Sequence, residues 1–474
     1  MAITTFTRQL NLPETLAMSV ALMAPTTGMV FVTPFLAAAS GYNVPLAFVV
    51  SLIGVLVIGF SFGRLGRRYA HAGSAYGLTK DALGPTAGLF AGWGLALTYL
   101  MLTAALLAGT GEFANLAIAQ VTGLQVPWGV LALVAAAIVL WFAIRDVRVS
   151  MRMMLLLEGL SMALIVVVSA LLIGHAHLTA TTAIKPFVLN DRGVVGIAEA
   201  MVFGLTSFLG FEGSATLGEE SKDPKRMVPL AIIFSALVGG VFFVFVAYSQ
   251  TVGYGLTPSD VQAFSADATP MNTLVQRYLG NTFSAMINVG AAISFFACAA
   301  ASVNASSRIV FALARDRYIP RRLSVVHSVM NIPRAAVYVV FAIGLALLGL
   351  GTVLFKTPSN VLGYLSGLGT FGALVAYGLV VVAALVEYWR SDLKNRKVFF
   401  IALPMIGLGL IGYVIYGSVY PVPAAPVNFF PYIVLGYFAV VITFSVIHRR
   451  RSSTIDSSVR FTENGALSYA AEAD

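Results

Sequence analysis

The sequence predicts an all-α polytopic membrane protein with twelve transmembrane helices. Of its 474 residues, 58% are hydrophobic and 10% are charged, whereas about a quarter of the residues in a soluble domain are charged. The apolar runs are long enough to cross a bilayer, which takes about 20 residues, and they lack the period-two alternation of barrel strands. A soluble multidomain enzyme and a disordered chain are therefore excluded. A disulfide scaffold is excluded because Cys298 is the only cysteine.

Twelve apolar stretches are candidates for these helices. They lie at residues 14–39, 45–63, 85–112, 127–144, 153–174, 194–217, 228–250, 282–313, 335–354, 361–388, 398–418 and 430–448. Cytoplasmic loops are enriched in Lys and Arg, so these residues predict the orientation. If both termini are in the cytoplasm, only four of the 29 Lys and Arg residues lie outside. They are Lys185, Arg192, Arg277 and Lys356. Membrane topology thus explains the net charge of +9 better than nucleic-acid binding does, and we expect a multi-pass protein of the cytoplasmic (inner) membrane.

The spans group into two halves of five with two further helices. We assign residues 14–174 to the first half, 194–388 to the second and 398–448 to the additional pair. Residues 1–13 form a cytoplasmic N-terminus, and residues 449–474 form a polar cytoplasmic tail that we expect to be disordered. Transporters are often built from two inverted halves whose helices are interrupted at matching positions.

The first helix of each half contains such an interruption. Residues 24–28, Ala-Pro-Thr-Thr-Gly, interrupt the first span, and residues 204–213, which begin and end with glycine, interrupt the sixth. Proline removes a backbone donor and glycine is flexible. Ordinary kinks or close packing of small residues explain one break, but two breaks at matching positions favour a binding site. The candidate substrate-binding residues are Pro25, Thr26, Thr27, Gly28 and Met29 in the first span, and Phe203, Thr206, Ser207, Phe208 and Leu209 in the sixth.

The backbone at these breaks suits a zwitterion. Exposed amides at the positive end of a half-helix attract a carboxylate, and exposed carbonyls attract an ammonium group. We expect the carboxylate on the amides of residues 27–29 and the amino group on carbonyls near Ala24, Thr206 and Leu209. Phe208 lies inside the sixth-span break, so it is the aromatic residue expected to cover the pocket.

Several segments resemble signature regions of the amino acid–polyamine–organocation (APC) permeases. They are Gly-Phe-Glu-Gly at 210–213 with residues 219–229, residues 72–76 with Gly92 and Trp93, and residues 307–333 with Arg308, Asp316, Pro320 and His327. The resemblance covers essentially the whole membrane region. It implies a LeuT-like five-plus-five inverted repeat with helices 1 and 6 discontinuous, and alternating-access transport of amino acids or related amines. It also places Tyr99, Phe295 and Tyr364 around the substrate. The first break differs from the Gly-Ser-Gly type that is common in the family.

Four glutamates within apolar runs are candidates for coupling or gating. A carboxylate inside a membrane is costly and is a functional candidate by default. The resemblance places Glu158 near the position where proton-coupled members carry a lysine, and we hypothesise that it couples transport to protons; the alternative is a structural carboxyl bonded to the first break. Glu212 is either an inner-gate or pH-responsive carboxyl or a hydrogen-bond clamp. Glu199 and Glu112 are candidates for an outer vestibule or for contact with a cationic substrate.

These observations predict a secondary-active importer of an amino acid or small amine, coupled to protons and without a cofactor or metal. Na⁺ coupling, in which hydroxyls such as those of Ser302, Ser306 and Thr27 act as ligands, and exchange of one solute for another are the alternatives. An intramembrane enzyme would need paired catalytic groups, and no Asp lies deep in a span. A non-transporting sensor of the same fold would need an output domain, which the short loops cannot contain but a partner could supply. The expected partners are the small substrate and the bilayer; the particular substrate and the oligomeric state stay open.

Overall fold

The computed structural model describes residues 6–69, 73–176, 178–390 and 397–471, with side chains except those of 397, 399 and 451–471. Within these ranges the chain forms eighteen α-helices and, instead of strands, two isolated bridges. The helices are α1 (Leu12–Met23), α2 (Pro25–Phe31), α3 (Thr33–Ser40), α4 (Val44–Arg68), α5 (Ala75–Leu83), α6 (Pro85–Thr122), α7 (Trp128–Ala143), α8 (Val147–His175), α9 (Ala180–Ile184), α10 (Gly193–Thr206), α11 (Pro224–Tyr254), α12 (Pro258–Ala266), α13 (Pro270–Tyr278), α14 (Asn281–Arg315), α15 (Arg334–Phe355), α16 (Pro358–Arg390), α17 (Lys397–Val419) and α18 (Phe430–Ala471). Ala72 of the signature segments and the terminal residues 1–5 and 472–474 lie outside the described part.

The prediction of an all-helical polytopic membrane protein is confirmed. Nine helical stretches of the described chain are long and apolar enough to cross a membrane, and the shorter α7 and α10 are apolar as well. All twelve predicted spans overlap a helix. The predicted first span is divided among α1, α2 and α3, and the sixth ends as a regular helix at Thr206, so neither is one continuous membrane-length helix. The number of membrane crossings therefore stays a prediction.

The C-terminal tail was expected to be disordered, and this stays a prediction. Helix α18 begins at Phe430 and continues through the polar residues to Ala471. No proline follows Pro431 in the sequence, so no residue of the strongest helix-breaking type interrupts the hydrogen-bond ladder beyond the membrane. A change from apolar to polar composition marks the end of a membrane span but does not by itself end a helix.

Helices α6, α14 and α16 form the centre of the bundle. Most of α6 and α14 is buried, whereas α17 and α18 are largely exposed at the periphery. The crossing of α6 and α16 is close because a glycine lies on each helix: a Cβ atom on Gly372 would lie 2.3 Å from the carbonyl oxygen of Gly94. Small residues allow such backbone contact between membrane helices. The two helices thereby form a rigid wall beside the broken ones.

The two breaks touch each other at Gly210. Helix α1 ends at Met23, and Ala24 takes a left-handed conformation (φ 44°, ψ 64°) before Pro25 begins α2. Beyond α10 the chain runs through turns into a short 3-10 segment, Gly213–Leu217. Gly210 has φ +97°, and a Cβ atom there would lie 2.6 Å from the carbonyl carbon of Leu22. Only glycine combines this conformation with this approach of one backbone to another.

We predict that Gly210→Ala destabilises the protein by about 1–3 kcal/mol, because the added methyl group collides with backbone rather than with a flexible side chain. Gly412→Ala is the matched control, since a Cβ atom there meets nothing within 4 Å. The thermal unfolding midpoint of the purified protein in detergent measures both. Equal midpoints for the two variants would contradict the proposed contact.

Candidate functional site

A cavity of about 790 Å³ lies beside both breaks. Its walls come from α1–α3, α6, α10, α14 and α16, and from the ends of α17 and α18. The lining residues are Leu22, Met23, Ala24, Thr27, Gly28, Phe31, Val32, Phe35, Leu102, Leu106, Val202, Phe203, Thr206, Ser207, Leu209, Phe295, Cys298, Ser359, Asn360, Leu362, Gly363, Tyr364, Ser366, Gly367, Thr370, Phe371, Gly417, Ser418, Pro423, Val427 and Phe430. Its volume falls in the range of small-molecule sites.

Among the residues that the structure describes, the lining is aromatic and hydroxylic and contains no Asp, Glu, Lys, Arg or His. Seven of its residues carry aromatic rings. Two of them, Phe35 and Phe203, stack with ring centroids 5.3 Å apart and are 45% and 37% exposed, respectively. The cavity extends to Ser359 at the start of α16 and to Ser418 at the end of α17. It is thus a chargeless space that reaches from the breaks towards one end of the bundle.

Eight of the thirteen predicted substrate-binding residues line this cavity. They are Thr27, Gly28, Phe203, Thr206, Ser207, Leu209, Phe295 and Tyr364. The other five, Pro25, Thr26, Met29, Tyr99 and Phe208, lie outside the lining. The Gly28 amide, which was expected to be open to a carboxylate, donates to the Ala24 carbonyl at 3.2 Å. The Met29 carbonyl accepts a hydrogen bond from Gln250 at 2.9 Å.

The structure does not place Phe208 over the cavity. Its side chain is fully buried and packs edge-on against Phe243, with ring centroids 4.9 Å apart and planes at 86°. Phe208 was predicted to cover the pocket because it lies inside the sixth-span break. The turn that follows α10 directs its ring into the core instead. Phe203, one turn before the end of α10, is the ring at the edge of the cavity.

Two parts of the lining were missed by sequence reasoning. The first is the contribution of α17 and α18, which carry no polar motif and were treated as additional helices. The second is Cys298, interpreted as a small core residue: its thiol donates to the Leu22 carbonyl at 3.1 Å, beside the first break. Cys298 lies three residues after Phe295, and this spacing places both on one face of a helix. This helical spacing is the sequence feature that could have identified Cys298 as a lining residue.

Glu158 on α8 holds the first break against α14. Its side chain is fully buried, and its Oε1 accepts hydrogen bonds from Ser294 at 2.9 Å and from the Thr26 amide at 3.4 Å. Its Oε2 is buried without a hydrogen-bond partner. Among the described residues, the ion pairs do not include Glu158. A carboxyl group with one satisfied and one orphaned oxygen therefore lies directly behind the break.

Glu212 is held between two tyrosines. Its Oε1 accepts a hydrogen bond from Tyr99 on α6 and its Oε2 accepts one from Tyr377 on α16, both at 2.5 Å. The Gly210 amide donates in turn to the Tyr377 hydroxyl at 3.3 Å. All three side chains are buried, and none lines the cavity. This geometry fastens the sixth-span break to the wall formed by α6 and α16.

The other two glutamates lie apart from the breaks. Glu199 is exposed on α10 and does not line the cavity. Glu112 on α6 accepts a hydrogen bond at 2.6 Å from Ser359, and Ser359 itself lines the cavity. Glu112 is therefore at the rim of the cavity, near the first turn of α16.

The opposite end of the bundle is closed by ion pairs and by the start of the chain. Arg308 and Glu220 are both fully buried and pair at 2.5 Å. The amides of Gln9 and Leu10 donate to the Glu220 carbonyl, and the Lys222 amide donates to the Leu10 carbonyl. The leading segment thus covers this end of the bundle and is hydrogen-bonded to the loop that follows the sixth-span break.

Asp316 strengthens this closed end just beyond α14. It accepts hydrogen bonds from Lys80, at 2.7 Å, and from Tyr76, both on α5. Burial raises the pKa of Asp316, but the hydrogen bonds and the charge of Lys80 outweigh it and hold this pKa below its ordinary value. The group is therefore a carboxylate at neutral pH, and it ties α5 to the end of α14.

Comparison with known proteins decides the family. The sequence model of the amino acid permease family matches residues 10–444. The chain belongs to this family. Among its relatives are the low-affinity putrescine importer PlaP of Escherichia coli, 25% identical over 78% of this chain and 80% of the relative, and the branched-chain amino acid permease BcaP of Bacillus subtilis, 26% identical over 75% and 76%. A methylthioribose transporter of Bacillus subtilis is 24% identical over 81% and 83%.

These findings confirm the resemblance seen in residues 210–213 and 219–229. The permease is a membrane transporter of small organic molecules and not an enzyme. The cavity beside the two breaks is accordingly its candidate substrate site.

We predict that Tyr377→Phe lowers the stability of the permease by about 1–3 kcal/mol, because it leaves a buried oxygen of Glu212 unpaired. Tyr432→Phe is the control, since Tyr432 is 72% exposed. Thermal unfolding midpoints in detergent measure the difference. If the two variants unfold at the same temperature, Glu212 is not clamped as described.

Proposed function

We propose that the permease imports a neutral, zwitterionic amino acid with an apolar side chain, together with protons, by alternating access. The observation that carries this proposal is the chargeless lining of the cavity beside both breaks. The hydroxyls of Thr27, Thr206 and Ser207 donate to the carbonyls of Ala24 and Phe203, so their oxygens remain able to accept hydrogen bonds from an ammonium group. The aromatic wall offers a surface for an apolar side chain.

The relatives differ in substrate, and the cavity favours one kind among them. A diamine such as putrescine would bring two positive charges into a cavity whose described lining has no carboxylate, Glu112 lying only at its rim, and an uncompensated charge in an apolar site is strongly unfavourable. A branched-chain amino acid carries no net charge and brings an apolar group that fits the aromatic wall. Methylthioribose is uncharged as well, and competition experiments separate it from an amino acid.

Glu158 is the proposed proton-coupling group. It touches the first break through the Thr26 amide, so its protonation state acts on the segment that borders the substrate. The ionised form has no ion-pair partner among the described side chains, which makes that form unfavourable while the site stays closed to water. Loss of the proton would therefore be linked to a conformation that admits water to this region. Symport with Na⁺ and exchange of solutes are the alternatives, and a sensor without transport is the rival from another class.

The described conformation is proposed to be open to the outside. Its cavity extends towards the start of α16, whereas the end that carries the leading segment is closed. The distribution of Lys and Arg predicts that this closed end is cytoplasmic, and such a state accepts substrate from the exterior.

We predict saturable uptake of labelled leucine by proteoliposomes that contain the permease, with acid outside and no Na⁺. Excess unlabelled isoleucine should compete at least about tenfold better than putrescine, since tenfold corresponds to 1.4 kcal/mol of discrimination. Thr206→Asp introduces a carboxylate into the lining and should shift this ratio towards putrescine. Thr206→Asn introduces an uncharged side chain of the same shape as Asp and should not shift it. Equal competition by putrescine, or better competition by methylthioribose, would contradict the proposed substrate, and absence of uptake of every solute would favour a sensor.

We predict that Glu158→Gln abolishes accumulation driven by a pH gradient while leaving exchange of internal for external substrate in place. Glutamine keeps an oxygen that can accept hydrogen bonds from Ser294 and Thr26, but it cannot release a proton. Asp191→Asn, a change of an exposed loop acid, is the control. Unchanged uphill accumulation by the Glu158 variant would show that protons are coupled elsewhere, and accumulation that follows a Na⁺ gradient would identify Na⁺ as the coupling ion.

A further inference from the structure

A cationic niche lies between α4, α16 and α17, away from the substrate cavity. The guanidinium carbon of Arg64 on α4 is 4.5 Å from the ring centroid of Phe400 and 5.3 Å from that of Tyr388. These two rings are themselves stacked, 6.0 Å apart with planes at 26°. A guanidinium group over aromatic faces is held by its charge and by its planar shape. Arg64 therefore has a fixed position on an aromatic floor.

Arg64 shares the nearby carboxylate of Glu387 with Arg68. Nη1 of Arg64 is buried and has no hydrogen-bond partner in the described part of the chain. The acid close to it is Glu387, which forms an ion pair with Arg68 and accepts a hydrogen bond from Tyr69 at 3.0 Å. A buried donor without a partner is unfavourable, so an anion that accepts a hydrogen bond from Nη1 would be favoured here.

The niche is on the lipid-facing side of the bundle. Helix α17 is mostly exposed, and Trp389, next to the aromatic floor, is 73% exposed. Tryptophan in membrane proteins is enriched at the level of the lipid headgroups. Arg64 lies four residues before the end of α4, which is about 6 Å along a helix. This position near the helix end is the level at which we expect lipid phosphates to lie.

We propose that this niche binds the phosphate of an anionic membrane lipid, with Arg64 as its principal ligand. A planar guanidinium group suits phosphate oxygens. The acyl chains would lie along the exposed apolar surface of α17. This lipid joins α4 to α16 and α17 and stabilises the folded bundle.

The test measures the thermal unfolding midpoint in nanodiscs of phosphatidylcholine with and without phosphatidylglycerol. Ligand binding to the folded state alone raises this midpoint, and we expect a rise of about 2–4 °C for the unmodified protein. Arg64→Gln should lose the rise. Arg67→Gln, which removes the same charge one turn away, should keep it. An equal rise in both variants, or no rise in the unmodified protein, overturns the proposal. So does an equal rise produced by inorganic phosphate in detergent, because the site would then take a soluble anion.

A second measurement leaves Arg64 intact and covers the case in which the Arg64 variant does not fold. Bromine atoms on lipid chains quench nearby tryptophan fluorescence, and the contribution of Trp389 is the difference between the unmodified protein and Trp389→Phe. Brominated phosphatidylglycerol, present as a minor component, should quench this contribution more strongly than the same amount of brominated phosphatidylcholine. Equal quenching by both lipids overturns the proposed enrichment at the niche.

Discussion

The contact between the two interrupted helices at Gly210 is the constraint on which the site depends. The backbone of the sixth-span break lies directly against the backbone of Leu22, and a short chain of hydrogen bonds leads from there through Tyr377 to Glu212 and Tyr99. One break thus supports the other, and the second is fastened to the two central helices. The cavity exists because these segments stop being regular helices where they meet.

Charge is distributed unequally along the axis of this bundle. One end holds the buried pair of Arg308 and Glu220 and the carboxylate of Asp316, all with partners. The cavity has a lining without any charged side chain. Glu158 differs from both. One of its carboxyl oxygens accepts a hydrogen bond, and the other has no hydrogen-bond partner among the described residues. In a medium where unpaired charge is strongly unfavourable, the charge of this group depends on the arrangement of its surroundings.

The sequence predicted the helical class, the family and the position of both breaks, because these depend on local composition and on short motifs. Thr27 and Thr206 were correctly placed beside one space for that reason. The direction of individual side chains was less predictable. Phe208 turns into the core and Glu199 faces outwards, since the turn after Thr206 and the rotation of α10 are determined by packing against distant helices. Tyr377, which holds Glu212, belongs to no motif and was not singled out, because its partner lies 165 residues away.

The leading segment of the chain links the two interrupted helices. Leu10 forms a parallel bridge with Ser221, so the residues just before α1 and the loop just after the sixth-span break share hydrogen bonds as neighbouring strands do. Arg148, at the start of α8, holds the same segment through the Gln9 carbonyl at 3.0 Å. The leading segment therefore connects the start of the first interrupted helix to the loop after the second, so the two are joined on this side as well as at Gly210.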